Sequence, residues 1–173
     1  HPLFLPQTIT VSPVFKARPD WYYGDMKPYA ENRKAWHDFE IIESFEAGIE
    51  LEGFEVPSIR KGQVSLAGSY AVIRGGEAFL TNATVTPVQT KNVPASYDPM
   101  RPRKLLLAKK QLQYLIGKEQ ENGLTIVPLK MYNKGRKIKV EIALARGKQK
   151  GDKREALKKR AVDRDIQRTL RDE

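Results

Sequence analysis

The chain has no cysteine, so neither a disulfide nor a thiolate metal site can be built from it. Its only histidines are His1 and His37, which nearly removes a multi-histidine metal centre as well. No apolar run approaches the ~20 residues that a membrane-spanning helix requires. Acidic residues are scarce beside basic ones, 21 against 31, and none precedes Asp20. The net charge of +10 points to a polyanionic partner, either nucleic acid or an anionic membrane surface. There is no phosphate loop, dinucleotide fingerprint or zinc spacing. No Asp or Glu meets a nucleophile or base at a motif spacing, so a metal-dependent nuclease built on Asp98 and Glu77 has no recognised constellation behind it.

What is present falls into three parts: residues 1–31, 32–146 and 147–173. The first carries Pro2, Pro6, Pro13, Pro19 and Pro28 among the aromatics Phe4, Phe15, Trp21, Tyr22, Tyr23 and Tyr29. Prolines at that density prevent a regular helix or a central strand, so this part reads as a poorly ordered extension. A chain that starts at His1 is expected to be processed or a fragment, and a trimmed organelle transit segment is one alternative.

The middle part has the patterning of a globular domain. Phe39, Ile41 and Phe45 alternate with Glu40 and Ser44 as in a half-buried strand, although Ile42 blurs the period. Ala47 to Lys61 is ambiguous: Gly48, Gly53 and Pro57 oppose a helix, while Ile49, Val56 and Ile59 can share one side of a short one. Gln63 to Ile73 and Glu77 to Val85 read as a hairpin around Gly75-Gly76. After a proline-rich loop, Lys104 to Ile116 reads as the best helix, with a stripe of Leu105, Ala108, Leu112, Leu115 and Ile116 and Gly117 as its cap. Leu124 to Tyr132 and Lys137 to Ala145 read as a second hairpin around Lys134-Gly135. In its last strand Ile138, Val140, Ile142 and Leu144 keep a period of two. Short strands, one longer helix and glycine turns predict a mainly β fold: a small closed barrel with helices packed on it.

The last part is a basic stretch broken by Gly147 and Gly151, followed by a highly charged, helix-compatible tail. Asp152 can cap a helix, with Glu155 three residues on in a variant of the capping box. Glu155 and Lys159 can pair at the i, i+4 spacing for ~0.3 kcal/mol. Leu157, Ala161, Ile166 and Leu170 offer only a thin apolar edge, so the helix is marginal in water. Two readings remain: a solvated basic tail, and a segment that orders on entering an RNA-lined channel.

Several stretches together carry a family resemblance. They are Asn32-Arg33-Lys34-Ala35, His37-Asp38-Phe39, Phe45-Glu46-Ala47-Gly48-Ile49, Gly53 with Glu55-Val56, and Ser58-Ile59-Arg60-Lys61-Gly62. Ser69-Tyr70, Asp98-Pro99, Arg101, Arg103-Lys104-Leu105-Leu106-Leu107 and Val127-Pro128-Leu129-Lys130-Met131-Tyr132 follow in order. Lys139-Val140, Ala143-Leu144-Ala145 and Asp152-Lys153-Arg154 complete the pattern. With this order and spacing, Asn32 to Glu173 resembles the SmpB family, the SsrA-binding proteins of bacterial ribosome rescue.

The resemblance implies an oligonucleotide-binding-like barrel that is not an enzyme and needs no cofactor or metal. It implies binding to the tRNA-like domain of transfer-messenger RNA, support of its charging by alanyl-tRNA synthetase, and delivery to stalled ribosomes with elongation factor Tu. The tail would then occupy the empty messenger channel and the decoding centre. It further implies a monomer in a bacterial cytoplasm, away from membranes, with a plastid of bacterial descent as the alternative. A different barrel protein of ribosomal or initiation type, also with a basic tail, is the rival among binding proteins.

By the same resemblance Asn32, Arg33, Lys34, His37, Glu46 and Leu106 lie at or near the transfer-messenger RNA. Asn32 can hydrogen-bond base or ribose edges, and His37 can stack on a base or approach phosphate, or else be a strand-end histidine satisfied by backbone. A carboxylate repels phosphate, so Glu46 is expected to accept from a base amine or to orient a basic neighbour. Leu106 can meet unstacked bases or belong to the core. Arg101, Arg103 and Lys104 are read as a phosphate-binding cluster at the helix entrance, with Arg60 and Lys61 as lesser candidates. In the tail, Gly147 supplies freedom to redirect, and Lys148, Asp152, Lys153, Arg154, Lys158, Lys159 and Arg160 are assigned to the ribosome, Asp152 chiefly as a cap. Departures from the family pattern stand at Gln149, Gly151, Val162 and Pro57, and the first three shift recognition onto Lys153 and Arg154.

Overall fold

The longest run of period-two hydrophobicity makes the longest hairpin. In the computed structural model, which describes residues 27–149, Arg154, Lys158, Lys159 and 161–164, strands β8 (Leu124–Lys134) and β9 (Lys137–Gly147) pair along their length. Gly135 turns between them with a φ of 62°, in the left-handed region that glycine enters without steric cost. A second hairpin, β4 (Tyr70–Arg74) and β5 (Glu77–Thr81), turns at Gly75 and Gly76, whose φ values of 58° and 73° fit a two-residue connection.

These hairpins join β2 (Phe39–Ile49) and β7 (Arg103–Leu106) in a closed ring, β8-β4-β5-β7-β2-β9 and back to β8, with every pair antiparallel. Closure leaves the ring without an edge strand. Leu80, Leu105, Val140, Ile142 and Leu144 point inside and are buried with Phe45, Ile126 and Met131. Helix α3 (Lys109–Glu119) contributes Leu115, and α2 (Glu55–Arg60) contributes Ile59. The small β3 (Val64–Ser65) and β6 (Thr84–Val85) pair with each other, and β1 (Ala30–Glu31) extends β8.

The expected barrel and both hairpin turns are present, and three local expectations are corrected. First, the helix expected from Lys104 begins only at Lys109. Arg103 to Leu106 is a strand because it closes the ring between Leu80–Ala78 of β5 and Gly48–Ile49 of β2, and that pairing overrides helical propensity. The helix then continues through Gly117 to Glu119. Second, the strand expected from Gln63 to Ile73 is interrupted at Gly68, where φ is 72°, and the returning strand breaks at Asn82, where φ is 64°. Third, Ala30 and Glu31 belong to the barrel through Met131 and Lys130, and β9 runs one residue past 146. The remainder of the N-terminal extension, residues 1–26, lies outside the described residues. Ile42 has a physical reason to blur the strand period: the register of β2 on β9 shifts between Ile41 and Glu43, as in a β-bulge.

One outer flank of the barrel carries a second, smaller apolar layer. Helix α1 (Arg33–Asp38) lays Ala35 and Trp36 on Val127, Leu129, Ala143 and Ala145. At the far end of the β8–β9 hairpin Lys134, Arg136 and Lys137 are exposed, and there the candidate site lies.

Candidate nucleic-acid interface

Strand register brings distant residues into one row. Leu106 of β7 lies opposite Gly48 of β2, Gly48 opposite Lys139 of β9, and Lys139 opposite Tyr132 of β8. Side chains at paired positions share a face, so this row crosses the outside of the barrel. Leu106 is 49% exposed, a large aliphatic surface left out of the core. Leu106 packs directly over Gly48, where a β-carbon would stand 3.1 Å from the Leu106 Cβ.

Glu46 stands two residues along β2 on the same face. It accepts hydrogen bonds from the Tyr132 hydroxyl at 2.6 Å and the Lys134 ammonium at 2.9 Å. Burial pushes its pKa up, but these hydrogen bonds and the charges of Lys134 and Lys139 outweigh burial and lower it overall. The carboxylate is therefore ionised and fixed among cations. Beside Leu106 opens a groove of about 320 Å³ floored by Leu51, Val56 and Ile138 and rimmed by Arg60, Arg136 and Lys137. Arg60 donates to the Arg136 carbonyl at 3.3 Å. Among the described residues, no carboxylate lies within ion-pair distance of Arg60, Arg136, Lys137 or Lys139. An apolar floor under an unneutralised basic rim suits unstacked bases flanked by phosphates.

The α1 residues are divided. Arg33 and Lys34 are exposed, and His37 is half-buried with Nδ1 2.8 Å from Asp38 Oδ1. Lys34, Asp38 and Phe39 line a cleft of about 330 Å³ with Ser69 and the exposed Tyr70. Asn32 is different. It is 3% exposed, its amide nitrogen donates to the Pro128 carbonyl at 2.9 Å, and its Oδ1 accepts from the Ala35 amide at 3.1 Å. Both polar ends of that side chain are committed, one to the irregular step between Pro128 and Lys130 in β8 and one to the cap of α1. Asn32 builds the platform for α1 and does not face outward.

The expected phosphate cluster is also rearranged. Arg103 is fully buried and holds Glu55 with Nη2–Oε1 at 2.8 Å, while donating to the carbonyls of Ala83 and Pro99. It is unavailable to phosphate because leaving Glu55 would bury an unpaired carboxylate. Arg101 grips the other Glu55 oxygen at 2.7 Å, and the Tyr97 hydroxyl donates to Oε1 at 2.8 Å. Burial raises the Glu55 pKa, yet the donors from Arg101, Arg103, the Glu52 amide and Tyr97 bring it down to about 2. Lys104 is paired with Glu77 at 2.7 Å at the surface and lies outward with Leu106, where such a pair exchanges readily.

A family model described as SmpB protein matches residues 29–172. The chain belongs to the SmpB family. It is 51% identical over 148 residues to an SsrA-binding protein of Enterococcus faecalis, a match covering 86% of this chain and 96% of that one. It is 49% identical over 148 residues to an SsrA-binding protein of Gloeothece citriformis, with the same coverage of 86% and 96%. A solved chain from work on tmRNA-SmpB at the center of the bacterial ribosome superposes with a TM-score of 0.58 at 48% identity, covering 73% of this chain and 92% of that one.

The tail positions of this SmpB-family chain divide at Gln149. Gly147 is still in β9, paired with Phe39. Lys148 donates its amide to the Asp38 carbonyl at 2.9 Å and its ammonium to the Trp36 carbonyl at 3.2 Å. Redirection at Gly147 is thus corrected: strand pairing holds it, and the hold extends one residue further. Arg154, Lys158, Lys159 and 161–164 are helical and exposed, Val162 among them. Gly151, Asp152, Lys153, Glu155 and Arg160 lie outside the described residues.

Sequence reasoning missed Lys134, Arg136 and Lys137 as candidate site residues, and left Tyr132 and Lys139 as mere family matches. The available signal was the strand alternation itself, which puts Lys137 and Lys139 on the face opposite Ile138 and Val140.

Proposed function

We propose that the chain binds transfer-messenger RNA and brings it to stalled ribosomes, acting as a binding protein and not as a catalyst. The observation that carries this is the outer face where exposed Leu106 seated over Gly48, the fixed Glu46 carboxylate and a rim of cations without a carboxylate partner among the described residues lie together in a chain of the SmpB family. Leu106 and the groove floor take an unstacked base, Arg60, Arg136, Lys137 and Lys139 take flanking phosphates, and Glu46 with Lys134 supplies a paired donor and acceptor set. Lys34, Arg33, His37 and Tyr70 extend the same contact beyond α1. The tRNA-like domain is the part of the RNA that this surface receives.

The tail has the second task. Arg154, Lys158 and Lys159 are helical and exposed, as a segment meant for a phosphate-lined channel should be. With Lys153 and Arg160 it enters the empty messenger path near the decoding centre. The same reading makes the protein a cytoplasmic monomer that acts alongside elongation factor Tu and alanyl-tRNA synthetase. Filter titration at fixed salt against the tRNA-like domain, an ordinary tRNA and a generic RNA duplex tests it. A strong preference for the tRNA-like domain is expected, and equal affinities for all three would overturn the proposal.

A further inference from the structure

An α-helix leaves the carbonyls of its last turn without intrahelical partners. In α1 the Ala35 carbonyl is taken by the Phe39 amide, and the carbonyls of Trp36 and Asp38 are both taken by Lys148. The cation suits this place, because the C-terminal end of a helix carries partial negative charge. Lys148 is the first residue after β9, so two bonds from one residue fasten the start of the tail to α1. Helix α1 is itself immobilised. Its first turn is tied through Asn32 to β8, and Trp36 packs with Ala35 on Ala143 and Ala145.

The chain direction at Gln149 is therefore set by α1. We propose that Lys148 is a positioning residue: its ammonium on the Trp36 carbonyl, beside the main-chain bond to Asp38 that continues the β2–β9 pairing, fixes where the tail leaves the barrel relative to the RNA-binding face. Its part in rescue rests on the proposed function, whereas the clamp itself stands independently of it. Lys148 then acts through α1 and not by touching the ribosome, in contrast to the role its charge first suggests.

The absence of cysteine allows clean labelling, so Lys110→Cys and Gln149→Cys place two spin labels on exposed sites of the full chain. Pulsed electron–electron resonance should give a narrow distance distribution with Lys148 or Lys148→Arg and a broad, shifted one with Lys148→Ala. In unlabelled protein, Lys148→Ala should leave affinity for the tRNA-like domain unchanged while tagging on stalled ribosomes falls about fivefold, the population change expected for one lost hydrogen bond. Lys148→Arg should restore tagging. An unaltered distance distribution in Lys148→Ala overturns the clamp, even where tagging falls, because the loss then comes from a direct contact. A broadened distribution with full tagging overturns the positioning role. Failure of the unaltered protein to bind the tRNA-like domain would instead count against the proposed function and leave the distance result intact.

Discussion

Leu106 lies across Gly48 with no room for a side chain between them: a β-carbon on residue 48 would come within 3.1 Å of the Leu106 Cβ. That distance is short of ordinary van der Waals contact, so the leucine must shift if residue 48 gains a methyl group. Gly48→Ala should therefore displace Leu106 while the barrel stays folded, and Leu106→Ala should remove the exposed aliphatic surface altogether. Both should weaken binding to the tRNA-like domain more than they change stability, since a 49% exposed leucine has little burial to lose. Titration beside urea denaturation checks this. Equal RNA affinity in both variants would remove Leu106 from the interface.

Asn32→Ala should behave in the opposite way. The side chain bridges the Ala35 amide and the Pro128 carbonyl inside the protein. Losing the cap and leaving a buried group unpaired should cost about 1–3 kcal/mol. The urea midpoint should fall with an unchanged slope, and RNA affinity per folded molecule should drop only as far as α1 loosens. A stable variant with sharply reduced affinity would mean that Asn32 contacts the RNA directly.

The contrast between these two residues shows what was legible. Period-two alternation in β9 and the glycine turns announced the hairpins, because those signals are local. Leu106 was recognisable as a candidate from its family match, but its strand was not, since Arg103 to Leu106 is held extended only by β5 and β2, distant in sequence. Asn32, Arg101 and Arg103 look like RNA ligands in any list of polar residues. What distinguishes Arg103 is Glu55, 48 residues away. Nothing in the local sequence marks that pair as buried, and the tertiary structure alone removes it from the surface.

Glu55 makes a pH prediction. Its folded pKa of about 2 lies below the ordinary 4.5, so the folded state favours the ionised carboxylate. The associated stability is fully present above about pH 4.5 and is lost progressively as the pH falls toward about 2. Glu55→Gln should cost about 3–5 kcal/mol at neutral pH, because Arg103 would remain buried without its counter-charge. It should also flatten the acid limb of the stability curve in that window. Chemical denaturation from neutral to acid pH reads both effects, and an unchanged acid limb in Glu55→Gln would show that other carboxylates govern acid unfolding.

The basic rim is best tested through salt. Each phosphate neutralised by a protein cation adds about one unit or slightly less to the slope of log affinity against log salt. Arg60→Ala, Arg136→Ala and Lys137→Ala should each reduce that slope by roughly this amount, with little change in stability. Lys91→Ala, on the exposed loop before β7, should leave the slope unaltered. If all these variants reduce the slope alike, binding follows total charge and the groove has no privileged role.

Removing the tail should separate the two tasks of the molecule. A chain ending after Gly151 keeps the whole barrel, including the Lys148 contacts with α1. It should bind the tRNA-like domain with near-wild-type affinity, since the outer face around Leu106 is intact. On stalled ribosomes in a reconstituted system it should deliver no peptide tag, because Arg154, Lys158 and Lys159 are gone. A tail peptide spanning residues 147–173 should be only partly helical by circular dichroism in buffer, since its exposed helix has no apolar partner in the described structure. Helicity should rise on addition of decoding-region RNA. A truncated chain that still tags, or an isolated peptide already fully helical, would show that binding-coupled ordering of the tail is not the step on which rescue depends.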